Sequence, residues 1–116
     1  MNAVRLSLAA LAFATPALAQ DLANGDAIRS AIAGNTVQGS MAAAGEYTEF
    51  YTGDGAIKGS GYAGTWTVDG DKMCFSYGAD PATCWNVSIS GDQVTWLNNG
   101  LEEGTGLIVP GNPNNY

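Results

Sequence analysis

The feature that most constrains the fold is an alternation of apolar and polar residues that begins after Asn35. Successive side chains of a β-strand point to opposite faces, so this alternation predicts strands with one buried face. The clearest run has one face made of Tyr62, Gly64, Trp66 and Val68. Turn sequences interrupt the alternation every eight to twelve residues, and Gly53-Asp54-Gly55 is a strong hairpin turn. The chain is therefore predicted to be mainly β, with antiparallel strands.

The two cysteines, Cys74 and Cys84, test the strand register independently of the alternation. If they lie opposite each other on neighbouring strands, they share the more polar face and leave the other face to large apolar side chains. That register also pairs Met73 with Trp85 and Phe75 with Thr83. Two cysteines at close spacing are typical of a disulfide in an oxidising compartment. A redox-active pair would need a C-x-x-C arrangement, which this sequence lacks, so we predict a structural disulfide.

These runs predict about six to eight antiparallel strands in sequence order. Strands with one apolar face need a closed or nearly closed surface, because open edges promote aggregation. The expected architecture is a small up-and-down β-barrel or a strongly curled sheet. A two-sheet sandwich remains the alternative, since both connectivities produce similar patterns. We expect a single domain over residues 20–109, a last short strand at Leu107–Val109, and a loose C-terminal tail over residues 110–116.

One short helix is expected before the strands, within Asp21–Ala33. Ile28 and Ile32 lie four residues apart there and form one apolar stripe. Asn24 or Asp26 can cap the start of the helix. A helix of about eight to ten residues is marginal alone, so it must pack on the rest of the domain. We expect it to cover or plug one end of the barrel.

The first nineteen residues have the three-part pattern of a cleaved secretory signal. A basic start is followed by the apolar run Leu6–Thr15, and Ala17-Leu18-Ala19 places small residues where a signal peptidase reads them. The predicted cut lies between Ala19 and Gln20. The apolar run is too short to span a bilayer, and no later segment is apolar enough to stop transfer. No stable membrane insertion is therefore expected after cleavage. The protein is predicted to be periplasmic or secreted.

The charge of the chain argues against nucleic acid as a partner. The chain has 4 basic and 11 acidic residues, and loss of Arg5 with the predicted leader leaves a net charge of −8. An acidic surface repels phosphate backbones and anionic lipid headgroups. The expected partner is instead a small molecule or a protein of the cell envelope.

Candidate catalytic and metal-binding groups are sparse. The chain has no histidine, which is the commonest general base and metal ligand. Gly53-Asp54-Gly55 lacks the lysine of a phosphate loop, and Asp69-Gly70-Asp71 lacks the spaced ligands of a helical calcium loop. Glu46 and Glu49 differ in strand parity, so they should not form an acid/base pair. We therefore expect no enzyme activity, no cofactor and no metal.

The aromatic residues have two possible roles. Large rings supply much of the buried area in a small domain, so most of them should fill the core. Alternatively, a few line the mouth of the barrel and hold an apolar or aromatic ligand, because an eight-stranded barrel is just wide enough for either arrangement. The candidate lining residues are Tyr62, Trp66, Trp85 and Trp96.

Several short motifs of the chain also occur together in a known family. They are Gly34-Asn35-Thr36, Gly53-Asp54-Gly55, Gly64-Thr65-Trp66-Thr67-Val68, Cys74 and Cys84-Trp85. In these motifs, over roughly residues 26–98, the chain resembles small exported proteobacterial proteins with a domain of unknown function. The resemblance implies a compact β-rich fold and an exported location. It assigns no activity and no functional residues.

A looser likeness concerns small periplasmic barrels that inhibit secreted metalloproteases. Those inhibitors pair one disulfide with a tryptophan-containing strand and insert an N-terminal segment into the protease cleft. The corresponding segment here is Gln20-Asp21-Leu22-Ala23-Asn24. The likeness implies an alternative function, that of a protein-binding module such as a periplasmic protease inhibitor.

Overall fold

The computed structural model describes residues 21–116, so the predicted leader and Gln20 lie outside the described residues. The described chain forms one short helix followed by eight strands. These elements are α1 (Gly25–Ile32), β1 (Asn35–Met41), β2 (Gly45–Tyr51), β3 (Ala56–Gly59), β4 (Tyr62–Asp69), β5 (Lys72–Ser76), β6 (Thr83–Ser90), β7 (Gln93–Asn98) and β8 (Leu101–Pro110).

The eight strands form a closed antiparallel barrel in sequence order, which confirms the predicted up-and-down topology. Closure is made by β1 and β8, where Val37 lies opposite Ile108. A closed barrel leaves no sheet edge with unpaired backbone groups, which is the physical advantage expected for strands of this kind. The two-sheet sandwich is not formed.

The predicted register of the cysteine hairpin is confirmed. Cys74 lies opposite Cys84 across β5 and β6, and a disulfide joins them. The neighbouring pairs are Met73 with Trp85 and Phe75 with Thr83. The disulfide lies on the side of the sheet away from the interior, although Cys74 is buried. A structural disulfide of this kind is typical of proteins outside the reducing cytoplasm.

Alternate residues of the strands fill the barrel interior. Aromatic rings form its centre: Phe75 and Trp96 meet edge to face with centroids 5.3 Å apart. Tyr51 makes similar contacts with Trp66 and Phe75, at 6.2 and 6.0 Å. Edge-to-face pairs of this geometry add to the stabilisation from burial. Most of the aromatic residues therefore lie in or against the core, as expected.

The helix α1 closes one end of the barrel. Asn24 is its N-cap, with the side-chain oxygen accepting from the backbone N–H of Ala27 at 2.8 Å. Ile28 and Ile32 are completely buried. The backbone N–H of Gly25 donates to Asp71 in the β4–β5 turn at 2.9 Å, which attaches the helix to that end. No helix within residues 21–116 is long and apolar enough to cross a membrane.

The last strand is much longer than the predicted Leu107–Val109. It begins at Leu101, and the missed part contains Gly104, which lies opposite Trp96. A Cβ atom on Gly104 would lie 2.8 Å from the carbonyl oxygen of Ser40, so the backbones of β1 and β8 approach closely here. Glycine at an inward position carries no apolar signal, and for that reason the alternation did not reveal this part of the strand.

The C-terminal residues make hydrogen bonds to the start of β1. Pro110 belongs to β8, although a loose tail was expected from this residue onward. The Thr36 hydroxyl donates to the carbonyl oxygen of Gly111 at 2.7 Å, and the Gly111 N–H donates to the Asn35 side chain at 3.0 Å. The backbone N–H of Tyr116 donates to the side chain of Asn112 at 3.0 Å.

Candidate functional site

A cavity of about 290 Å³ opens at the end of the barrel opposite α1. Its position follows from the topology: Met41 is the last residue of β1, Ala44 lies in the β1–β2 turn, and the helix enters at the other end of β1. Six aromatic residues line the cavity, namely Tyr47, Tyr51, Tyr62, Phe75, Trp85 and Trp96. The other lining residues are Met41, Ala44, Glu46 and Glu49.

The structure brings three of the four predicted lining residues together. Tyr62, Trp85 and Trp96 face this cavity, whereas Trp66 does not. The Trp66 indole N–H donates to the carbonyl oxygen of Thr52 at 3.0 Å, and the residue is only 6% exposed. Its ring packs edge to face against Tyr51 within the core. Trp66 is therefore a core residue. Trp85 and Trp96 combine core packing with cavity lining, whereas Tyr62 lines the cavity and remains 44% exposed.

The site contains a buried carboxylate that sequence reasoning missed. Glu49 is 6% exposed and accepts hydrogen bonds from three tyrosine hydroxyls. Tyr51 donates to Oε1 at 2.6 Å, and Tyr62 donates to Oε2 at 2.8 Å. Tyr77 lies 2.9 Å from both oxygens. The charge of Glu49 is thus held among neutral donors at the wall of an aromatic cavity.

Strand parity explains why Glu49 points inward. Tyr47, Glu49 and Tyr51 are alternate residues of β2, so all three share the interior face. Glu46 has the opposite parity to Glu49 on β2, as the alternation predicted, although both residues line the cavity. The signal available was the position of Glu49 between two inward-facing tyrosines.

Two glycines allow Tyr62 of β4 and Tyr77, which directly follows β5, to reach Glu49. Gly59 lies opposite Tyr62 across β3 and β4, and a Cβ atom on Gly59 would collide with the Tyr62 ring. A Cβ atom on Gly64 would lie 2.8 Å from the ring of Tyr77 and 2.6 Å from the carbonyl oxygen of Ser76. Each tyrosine ring therefore lies across a glycine of the adjacent strand, which directs its hydroxyl towards the carboxylate.

A second hydrogen-bonded chain fixes two of the cavity walls. The Trp96 indole N–H donates to the Tyr47 hydroxyl at 2.8 Å, and that hydroxyl donates to the carbonyl oxygen of Thr105 at 3.0 Å. Both polar ends of these large side chains are therefore satisfied. These hydrogen bonds fix the orientation of both rings.

The tyrosines of the site hold their protons more tightly than exposed tyrosines do. Burial raises the pKa of Tyr47 to about 12, although its hydrogen bond from Trp96 acts in the opposite direction. Burial, followed by the charge of Glu49 and the hydrogen bond to it, raises the pKa values of Tyr51 and Tyr77. Burial and then the hydrogen bond to Glu49 raise that of Tyr62. The hydroxyls therefore remain donors to the carboxylate.

No basic side chain of the described residues lines the cavity. Arg29 lies on α1 and pairs with Asp26 at 3.9 Å. Lys58 is exposed, with its inward-facing neighbour Ile57 in the core, and Lys72 is exposed at the β4–β5 turn. Within residues 21–116, no group of three or more His, Cys, Asp or Glu side chains is arranged to hold a metal ion.

Comparison with known proteins adds no relative: no family model, curated protein or solved structure matches the chain.

Proposed function

We propose that this protein is an exported, non-enzymatic β-barrel that binds a small apolar or aromatic molecule in the cavity at its open end. The observation that carries the proposal is the set of six aromatic residues around one cavity, at the end of the barrel that the helix does not cover. Ligand pockets are typically apolar and aromatic, with a few polar groups that orient the ligand. The cavity volume of about 290 Å³ suits a ligand with one ring or a short aliphatic body.

Preorganisation of the walls supports a binding role. Trp96 and Tyr47 are fixed by hydrogen bonds to each other and to the backbone of Thr105. Tyr62 is fixed by its hydrogen bond to Glu49. A site whose side chains are already held in place loses little conformational entropy when a ligand enters, and so retains more of the interaction free energy.

The chemistry of the cavity favours binding over catalysis. Catalytic sites generally combine a nucleophile or general base with a group that orients it. Glu49 is the buried carboxylate here, and its oxygens accept from the hydroxyls of Tyr51, Tyr62 and Tyr77. This arrangement uses most of the accepting positions of the carboxylate for internal contacts. We therefore infer a receptor for a small molecule, with no covalent step.

The location in this proposal is the periplasm or the exterior of the cell. The disulfide between Cys74 and Cys84 supports an oxidising compartment. The signal pattern of residues 1–19 supports export, with cleavage after Ala19. An envelope component that presents an apolar or aromatic group is an equally suitable ligand for the same cavity.

The alternative of protein binding through the N-terminal segment has less support. The backbone N–H of Ala23 donates to the carbonyl oxygen of Val87 at 2.7 Å. Asn24 caps α1 with its side chain. The first bond attaches Ala23 to the barrel and the second fixes Asn24 at the start of α1, whereas insertion into a protease cleft requires a free segment.

Nuclear magnetic resonance of the three tryptophan indole groups tests ligand binding. We expect titration with toluene to move the indole N–H signals of Trp85 and Trp96, which line the cavity, in a saturable way. Trp66 lies outside the cavity lining and serves as the internal control, so its signal should stay in place. Single Trp→Phe variants assign the signals. Unchanged spectra throughout the titration, or equal movement of all three signals, would contradict a defined site.

A further inference from the structure

We infer that the ligand of this cavity is a small organic cation, an alkylated ammonium or a similar weakly hydrated group attached to an apolar body. The inference rests on the proposed function, because it names the class of ligand for the same cavity. It follows from three properties of the site: an uncompensated buried charge, the surrounding aromatic rings, and the hydrogen bonds already made by the carboxylate.

The charge of Glu49 has no partner of opposite sign among the described residues. Its three donors are neutral phenolic hydroxyls, which stabilise the carboxylate without cancelling its charge. The described basic side chains of Arg29, Lys58 and Lys72 lie elsewhere. Electrostatic interactions are strengthened in a partly desolvated cavity, so an unbalanced carboxylate favours a positive charge beside it. Glu46 also lines the cavity and adds to the negative potential.

The aromatic walls favour the same kind of ligand. The face of an aromatic ring carries negative charge density, and cations near Trp, Tyr or Phe rings are attracted to it. Desolvated aromatic sites bind quaternary ammonium groups particularly well. Six aromatic residues surround this cavity, and an anionic ligand would be repelled by both the rings and the carboxylates.

The hydrogen bonds of Glu49 further restrict the class of ammonium group that the site can bind. A carboxylate offers about four accepting positions. The three O–H protons of Tyr51, Tyr62 and Tyr77 take about three of them, and the Tyr77 proton is shared between Oε1 and Oε2. Few positions therefore remain for the N–H groups of a primary ammonium, which also loses strong hydration on entering an aromatic site. An alkylated ammonium needs no hydrogen bond and suits the site better.

The test compares two probes of nearly the same shape. Phenyltrimethylammonium carries a positive charge, and tert-butylbenzene is its neutral counterpart. We expect the cation to bind the wild-type protein at least tenfold more tightly than the neutral probe, measured from the shifts of the Trp85 and Trp96 indole signals. A tenfold preference corresponds to about 1.4 kcal/mol. The neutral probe should still produce saturable shifts, because the aromatic walls accept it.

A pair of variants identifies the source of the preference. In Glu49→Gln we expect the ratio of the two affinities, that of the cation over that of tert-butylbenzene, to fall at least fivefold. Asp92→Asn removes the same charge from an exposed turn at the helix end of the barrel and should leave both affinities unchanged. If Glu49→Gln fails to fold, the comparison of the two probes on the wild-type protein still tests whether the cavity prefers a cation.

The possible results separate the two proposals. Equal affinities for the two probes would overturn the inference of a cationic ligand and leave a general apolar site. Tighter binding of the neutral probe would overturn it in the same way. Absence of saturable binding by both probes would contradict the proposed function itself. An equal loss of the cation preference in Asp92→Asn and Glu49→Gln would show a general effect of net charge and overturn the role of Glu49.

Discussion

At the scale of single residues, the site depends on positions that have no side chain. Gly59 and Gly64 leave room for the rings of Tyr62 and Tyr77 to lie across the neighbouring strand. The hydroxyls then converge on Glu49 from strands that are distant in sequence. The alternation of the sequence placed Tyr62 and Gly64 on the apolar face of their strand, but it did not place Glu49 on an inward face. It did not predict their convergence, because that depends on the curvature of the whole barrel.

Gly64→Ala is expected to destabilise the protein by about 1–3 kcal/mol, the usual cost of forcing extra volume into a packed site. The added Cβ atom would lie 2.6 Å from the carbonyl oxygen of Ser76 and 2.8 Å from the ring of Tyr77. Urea denaturation measures the change. Gly53→Ala is the matched control, since a Cβ atom there has no neighbour within 4 Å. Equal stability of both variants would contradict the proposed contact with Tyr77.

The raised pKa values of the cavity tyrosines predict how the free energy of unfolding depends on pH. Their pKa values in the folded protein are raised, to about 12 for Tyr47, above the ordinary value of about 10 in the unfolded chain. Between these values the unfolded chain loses tyrosine protons that the folded protein keeps, so the free energy of unfolding falls as pH rises. It should be independent of tyrosine titration below about pH 9 and fall steadily above about pH 10.

Urea denaturation across this range, together with ultraviolet absorbance of tyrosinate, measures the effect. Most of the tyrosine absorbance change in the folded protein should occur together with alkaline unfolding. Titration of all the tyrosines near pH 10 in a protein that remains folded would contradict the buried hydroxyl arrangement.

At the scale of elements, predictability depended on how many signals each strand carried. The hairpin of β5 and β6 had two, the alternation and the cysteine pair, and its register was predicted residue by residue. The strand β8 carried few such sequence signals. Gly104 and Gly106 occupy inward positions where an apolar residue would have marked the strand. The helix α1 was predicted with the right apolar pair, and its cap at Asn24 sets its start.

The disulfide in this hairpin is expected to stabilise the fold by about 2–3 kcal/mol, because it closes a short loop in the unfolded chain. The two cysteines are separated by 10 positions. Reduction should lower the urea midpoint, and the double variant Cys74→Ala/Cys84→Ala should behave like the reduced protein without further response to reductant. An unchanged midpoint on reduction would show that the bond contributes no stability.

At the scale of the whole molecule, the barrel has two unlike ends. The helix covers one end with Ile28 and Ile32, both completely buried. The other end retains a cavity lined by aromatic residues and Glu49. A closed or nearly closed barrel was the favoured prediction, because one-faced strands need their edges covered, although a two-sheet sandwich matched the same pattern. The open cavity was not predictable, because whether the rings fill an eight-stranded barrel or leave space depends on their packing in three dimensions.

The central claim is that this cavity holds a small molecule, and mass spectrometry of protein recovered from its natural host tests it most directly. Under native conditions we predict a mass above that of the polypeptide, and under denaturing conditions release of a small cationic molecule. The denatured chain should begin at Gln20 and weigh two hydrogens less than the reduced sequence. A native mass equal to that of the bare polypeptide would contradict the account of the barrel as a ligand carrier.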